Sequence, residues 1–201
     1  MSRIKVCSLS TIRSLLVDLN QEATALLDGD WTPWRLISIT SGVGSIPFNP
    51  QVLVGTNCRG VLPLAVDDVV PVPEFQTEEG WVKVTQAYRM FGKRHAENVV
   101  AFLRGIPVEG PGRLVVHCEA GLSRSAAVAR FAAEWRFGLD PDLDPGLKNF
   151  EGQLLRPNPI ITNRLRAAVG LPLIPFPQTE ILETTLAYSK KSQAGSGMDT
   201  F

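Results

Sequence analysis

Apolar and polar positions change period several times along the chain, and the changes outline strands and helices in alternation. Residues 4–9 form a short β-capable run, and Ser10 or Thr11 is placed to cap a helix over 12–19. Residues 35–40 (Arg-Leu-Ile-Ser-Ile-Thr) alternate as a strand does. Ser41-Gly42-Val43-Gly44-Ser45 then breaks the pattern; it reads as a turn, since no lysine or helical run follows where a glycine-rich phosphate loop needs them. Residues 51–55 and 61–66 are two further strand candidates. Over 81–103 the apolar residues fall at helical spacing, 113–117 is a strand, 125–137 an alanine-rich helix stopped by Gly138, and 160–169 a last helix. Such alternation predicts an α/β fold, a single domain with a mostly parallel central sheet and helices on both faces. From Ser189 the run Lys190-Lys191-Ser192-Gln193-Ala194-Gly195-Ser196-Gly197 has little to bury. The expected domain is therefore 1–188, with 189–201 a flexible tail.

The segment that changes this picture most is Val115-Val116-His117-Cys118-Glu119-Ala120-Gly121-Leu122-Ser123-Arg124-Ser125. A strand delivers a cysteine to a loop, an arginine follows six positions later, then a hydroxyl, and a helix begins. A helix N-terminus and loop N–H groups suit an anion. Thiols at helix N-termini beside a cation titrate at roughly 3.5–7.5, which makes them nucleophiles at neutral pH. Arg124 offers a planar fork matched to two phosphate oxygens. Gly121, mid-loop, is where a positive φ or a close backbone approach is expected.

The segment resembles the active-site loop of the protein tyrosine and dual-specificity phosphatase superfamily: His-Cys, five residues, Arg, then Ser or Thr. The likeness extends to Leu64-Ala65-Val66-Asp67-Asp68-Val69 and to Arg156-Pro157-Asn158-Pro159, and it is nearest to compact bacterial and phage members. It implies a tyrosine-phosphatase-like fold and metal-independent hydrolysis of phosphate monoesters, without cofactor. Cys118 is then the nucleophile, Asp68 the general acid with Asp67 its close competitor, and Ser125 the hydroxyl that eases departure of the sulfur. His117 orders the loop, residues Glu119, Ala120, Gly121, Leu122, Ser123 and Arg124 hold the phosphate, and Asn158 is either a supporting residue or a helix cap. About fifty residues separate Asp68 from Cys118, more than in compact members, with the excess around 71–80.

Composition narrows the partners. Twenty basic residues balance twenty acidic ones over 201 residues, so no net field draws nucleic acid or a membrane surface. Cys7, Cys58 and Cys118 are three, without metal-ligand spacing, which favours a reducing, cytoplasmic setting and a free nucleophile. No apolar run reaches the length of a membrane span, and Asp18, Asn20 and Glu22 follow the basic start too soon for a secretory signal. The expected partner is a phosphorylated substrate, a phosphoprotein first. The rival substrates are RNA 5′-triphosphates and phosphoinositides, although the loop lacks the interior lysines of inositide-specific members. Sulfurtransferases and arsenate reductases fit the His-Cys and Ser-Arg-Ser ends poorly. A pseudophosphatase that binds phosphorylated partners is the alternative from another class.

His95 and the basic trio Arg89, Lys93 and Arg94 read as solvated helix positions. Trp31, Trp34, Trp81 and Trp135 read as core or rim. A redox bridge between Cys58 and Cys118 has no local support.

Overall fold

In a computed structural model of the chain, the residues described are 3–17, 33–41, 58–69, 87–109, 113–139, 149 and 152–175. The expected strand at 51–55, the insertion at 71–80, Trp31, Trp81 and the tail from 189 lie outside them. Four strands, β1 (Ile4–Ser8), β2 (Trp34–Thr40), β3 (Cys58–Ala65) and β4 (Arg113–Cys118), pair in the order β1-β4-β2-β3, and every pairing is parallel. The two inner strands are buried along almost their whole length, as parallel strands covered on both faces must be. β3 is at the edge of the sheet among the described residues and accommodates Pro63, which has no N–H to give to a ladder.

Helices cover both faces. α1 (Leu9–Val17) lies on one, where Ile12 packs with Cys7, Trp34, Leu36 and Val115. The other face carries α2 (Lys93–Arg104), α3 (Arg124–Phe131) and α4 (Pro159–Ala168) over Ile4, Val6, Ile37, Ile39, Leu114 and Val116. The alternation of residues along β1 and β4 between these two clusters is the period of a strand. The chain is thus an α/β domain with a parallel sheet between helical layers, as its pattern predicted.

Three boundaries differ from the sequence reading. α1 begins at Leu9, directly after β1, because the Ser8 hydroxyl accepts the Thr11 N–H (3.1 Å) and caps the helix. Of the helix expected over 81–103, residues 81–86 lie outside the described residues, Ala87 is helical, and after a break at 88–92 the helix resumes at Lys93. Upstream, the backbone of Arg89 is bound to Asp67, and Met90 and Phe91 meet their apolar partners from a non-helical strap instead of a helix face. The alanine-rich helix widens into a π turn over Ala132–Arg136; this lays Trp135 on Phe131, ring centroids 5.3 Å apart, and brings Arg136 to the carbonyls of Arg104 and Ile106 at the end of α2.

Candidate functional site

β1 and β4 are neighbours, yet the helices that follow them leave to opposite faces of the sheet. A crevice opens at the carboxyl ends of strands where connections diverge in this way. Cys118 ends β4 there, level with Ser8 of β1. The following loop arches over the end of β1. Gly121 has φ +72°, and a Cβ on it would stand 2.6–2.8 Å from backbone atoms of Cys7 and Ser8. The positive φ expected at Gly121 is present, and the close approach it permits is to β1.

The loop's carbonyls are held from outside. Glu119 O accepts from Leu9 N (3.1 Å), Leu122 O from Arg156 N (2.9 Å) and Ser123 O from Asn158 N (3.2 Å). The described peptide bonds are trans, so each carbonyl turned outward sends the next N–H inward: those of Ala120, Ser123 and Arg124. Ser123 stands at the N-cap of α3 but makes no side-chain cap; its hydroxyl donates to Asp68 Oδ1 (2.8 Å). The first turn of α3 therefore keeps N–H groups that no capping side chain has taken.

Arg124 is buried, 4% exposed. Its Nη1 donates to Ser41 Oγ (3.1 Å) and to Val66 O (2.7 Å), and its Nη2 to Glu119 Oε2. Of the five guanidinium donors these bonds use three. Nε has no hydrogen-bond partner among the described residues; Asp68 Oδ2 lies 3.8 Å away. Among the described residues the donors left over are Nε–H and one Nη2–H; because Ser41 joins Nη1 to Glu119, Glu119 takes the Nη2–H on the Nη1 side, and the one left shares an edge of the plane with Nε–H.

Cys118 is 1% exposed, and its Sγ lies 3.1 Å from Ser125 Oγ at the start of α3. His117 is fully buried. Burial pulls its pKa down to about 4; the Cys118 backbone opposes that shift, and the guanidiniums of Arg124 and Arg13 add to it. The imidazole is neutral at physiological pH and lends no positive charge to the sulfur beside it.

The two aspartates face different ways. Asp67 is bound twice to Arg89: its carboxylate accepts the Arg89 N–H (2.8 Å) and its own N–H reaches Arg89 O (2.9 Å). Asp68 faces the loop, its Oδ1 accepting from both Ser123 Oγ and Asn158 Nδ2 (2.9 Å). Asn158 is 1% exposed and does both things its sequence position allowed. Its Oδ1 caps α4 by accepting from Ile160 and Ile161 (3.0 and 3.1 Å), and its Nδ2 holds Asp68 and Val69 O (2.9 Å). Pro159 at the first helical position fits the same start.

The loop therefore gathers Cys118, Arg124, Ser125, Asp68, Asn158 and the backbone of 119–124. Ala120 is exposed and Leu122 half-buried. Asp67 and His117 stand beside the site. Ser41 and the Val66 carbonyl are hydrogen-bond partners of Arg124 that the sequence did not point to. The available signal was topological: the exit of β2 adjoins that of β4, so residues after Thr40 meet the loop.

His95 is half-buried, where a fully solvated position was expected. Its Nδ1 accepts the Gly92 N–H (3.0 Å) at the start of α2, and burial, then Arg94, pulls its pKa down. Arg89, Lys93 and Arg94 are exposed, and Lys93 pairs with Glu97 on the same helix. Trp34 and Trp135 belong to or pack on the cores. Cys58 starts β3 level with Trp34 and Arg113, at the opposite end of the sheet from Cys118, which separates the two sulfurs well beyond disulfide reach. Among the described residues no cluster of His, Cys, Asp and Glu has the makings of a metal site, and no helix is long and apolar enough to cross a membrane.

No family model and no curated protein matches the chain. Among solved structures it is similar to the crystal structure of a human tyrosine phosphatase-like serine/threonine/tyrosine-interacting protein, at 18% identity and a TM-score of 0.45, over 75% of this chain and 84% of that one.

Proposed function

We propose that the 119–124 loop binds a phosphoryl group and that the chain hydrolyses phosphate monoesters, those of phosphoproteins first, through a cysteinyl-phosphate on Cys118. The observation that carries this reading is the edge of Arg124. Among the described residues three donors are committed to protein, and the two left over form the parallel pair that a tetrahedral anion takes bidentately. The inward N–H groups of Ala120, Ser123 and Arg124 and the uncapped first turn of α3 point to the same centre.

The chemistry follows from what stands around that centre. The Cys118 thiolate attacks phosphorus in line, the bond to the leaving oxygen breaks, and Asp68 gives that oxygen a proton. Oδ2 is the Asp68 oxygen for this work, since Oδ1 already holds Ser123 and Asn158. Water then attacks the phosphoenzyme and gives its proton to Asp68, while the phosphorus–sulfur bond breaks. The Ser125 hydroxyl donates to the departing sulfur. Arg124 and the loop amides stabilise the equatorial oxygens through both steps.

A second reading has its own support. The Asp68 carboxylate is already engaged by Ser123 and Asn158, which suits a module that binds phosphomonoesters and does not turn them over. Hydrolysis of para-nitrophenyl phosphate in chelator and reductant separates the two. Turnover that disappears in Cys118→Ser and Arg124→Lys supports the enzyme. Saturable phosphate binding without turnover across pH 5–8 supports the binding module.

A further inference from the structure

A closed ring of hydrogen bonds surrounds the outer edge of Arg124. Nη1 donates to Ser41 Oγ, the Ser41 N–H donates to Glu119 Oε1, and Glu119 Oε2 accepts from Nη2. The three residues come from the exit of β2, the exit of β4 and the first turn of α3, and Ser38 and His117 already pair these two strands just upstream. We propose that Ser41 and Glu119 are positioning residues, a clamp that presents the Nε/Nη2 edge of Arg124 to the anion. This rests on reading the loop as a phosphate site.

The geometry favours a clamp over an internal rival for the anion. Both carboxylate oxygens of Glu119 are taken, one by a backbone N–H and one by the guanidinium. Nε, on the inner edge, has no hydrogen-bond partner among the described residues, with Asp68 Oδ2 3.8 Å off. A guanidinium 5% exposed needs a counter-charge before any ligand arrives, and Glu119, about a third exposed, supplies it from the solvent side. The clamp also fixes rotation of the guanidinium, so that its inner edge meets the ligand without first having to be ordered.

The test is titration of inorganic phosphate, followed by amide NMR shifts, with melting temperatures and kcat and KM recorded in parallel. The proteins are the wild type, Glu119→Gln, Ser41→Ala, Ser41→Thr, the Glu119→Gln/Ser41→Ala double variant and Arg124→Lys. Loss of one charge-assisted bond to Arg124 weakens phosphate about tenfold in Glu119→Gln and about threefold in Ser41→Ala. Ser41→Thr, which keeps the hydroxyl, restores binding. The double variant is no weaker than Glu119→Gln alone, because either substitution opens the ring.

Tighter or unchanged phosphate binding in Glu119→Gln, or strict additivity in the double variant, overturns the clamp while leaving the phosphate site intact. If Glu119→Gln does not fold, Ser41→Ala against Ser41→Thr decides by itself. Equal binding by the wild type and Arg124→Lys overturns the underlying reading instead.

Discussion

Asn158 Nδ2 donates to Asp68 Oδ1 at 2.9 Å, joining the start of α4 to the loop after β3 across ninety positions of sequence. The same side chain caps α4 through its oxygen, so its two ends perform separable tasks. Asn158→Asp keeps the cap and replaces the donor with a like charge against Asp68; Asn158→Ala loses both. We expect Asn158→Ala to lose about 2–3 kcal/mol in urea unfolding, a cap plus a buried polar network. Asn158→Asp should lose at least as much stability despite the retained cap, because it sets a buried carboxylate against Asp68 and the Val69 carbonyl, and should lower kcat at least as far. Equal kinetic behaviour of Asn158→Asp and the wild type would detach Asn158 from the acid.

The two aspartates separate in the same way. Asp67→Asn keeps an oxygen for the Arg89 N–H and should change kcat less than threefold, on the order of one retained hydrogen bond. Asp68→Asn removes the proton donor and should lower kcat by roughly 10²–10⁴ with an alkyl or unactivated aryl phosphate. With para-nitrophenyl phosphate the loss is smaller, because that leaving group needs little protonation. A larger loss in Asp67→Asn on the demanding substrate would reverse the assignment.

Two glycines with similar φ should respond very differently. Gly121 (φ +72°) has backbone of Cys7 and Ser8 within 2.8 Å of any Cβ, whereas Gly138 (φ +60°) has nothing within 4 Å. Gly138→Ala should cost about 1 kcal/mol, the strain of the conformation alone. Gly121→Ala should cost upwards of roughly 3 kcal/mol or abolish soluble expression, since backbone and not a flexible side chain must move. Chemical denaturation of the two variants side by side checks this; similar losses would mean that the loop does not rest on β1.

His117 gives stability a pH dependence of defined sign. Its folded pKa of about 4 lies below the ordinary 6.5, so the fold disfavours the charged ring. The stabilisation is complete above about pH 6.5 and drains away as pH falls towards 4, up to roughly 3 kcal/mol in all. Urea midpoints from pH 7.5 to 4 should fall along that limb, and His117→Gln should flatten it. An unchanged limb in the variant would assign the acid sensitivity to other groups.

Much of this architecture was legible in the sequence, and the reasons differ by element. β4 and α3 are strongly patterned, and the order and spacing of Cys118, Arg124 and Ser125 lie within one short stretch, whereas the bonds that hold Arg124 come from distant Ser41 and Val66. Strap residues 88–92 were misread because Met90 and Phe91 fit a helical period while their burial comes from tertiary contacts with Val69, Ile160 and the main core. Ser41 went unnoticed for a related reason: its partners, Glu119 and Arg124, lie some eighty positions away and meet it only through strand order. Asp68 and Asp67 are equivalent by composition; the resemblance favoured Asp68 with Asp67 close behind, and the hydrogen bonds to Arg89, Ser123 and Asn158 show how different their surroundings are.

The most direct test of the account is to trap the phosphoenzyme. The protein is mixed with a phosphate monoester, quenched in acid within milliseconds to seconds, and digested for mass spectrometry. A phosphoryl adduct is expected on the peptide that carries Cys118, accumulating in Ser125→Ala, where departure of the sulfur is slowed, and absent from Cys118→Ser. Turnover with no adduct on Cys118 in either the wild type or Ser125→Ala, or turnover that persists in Cys118→Ser, would contradict it.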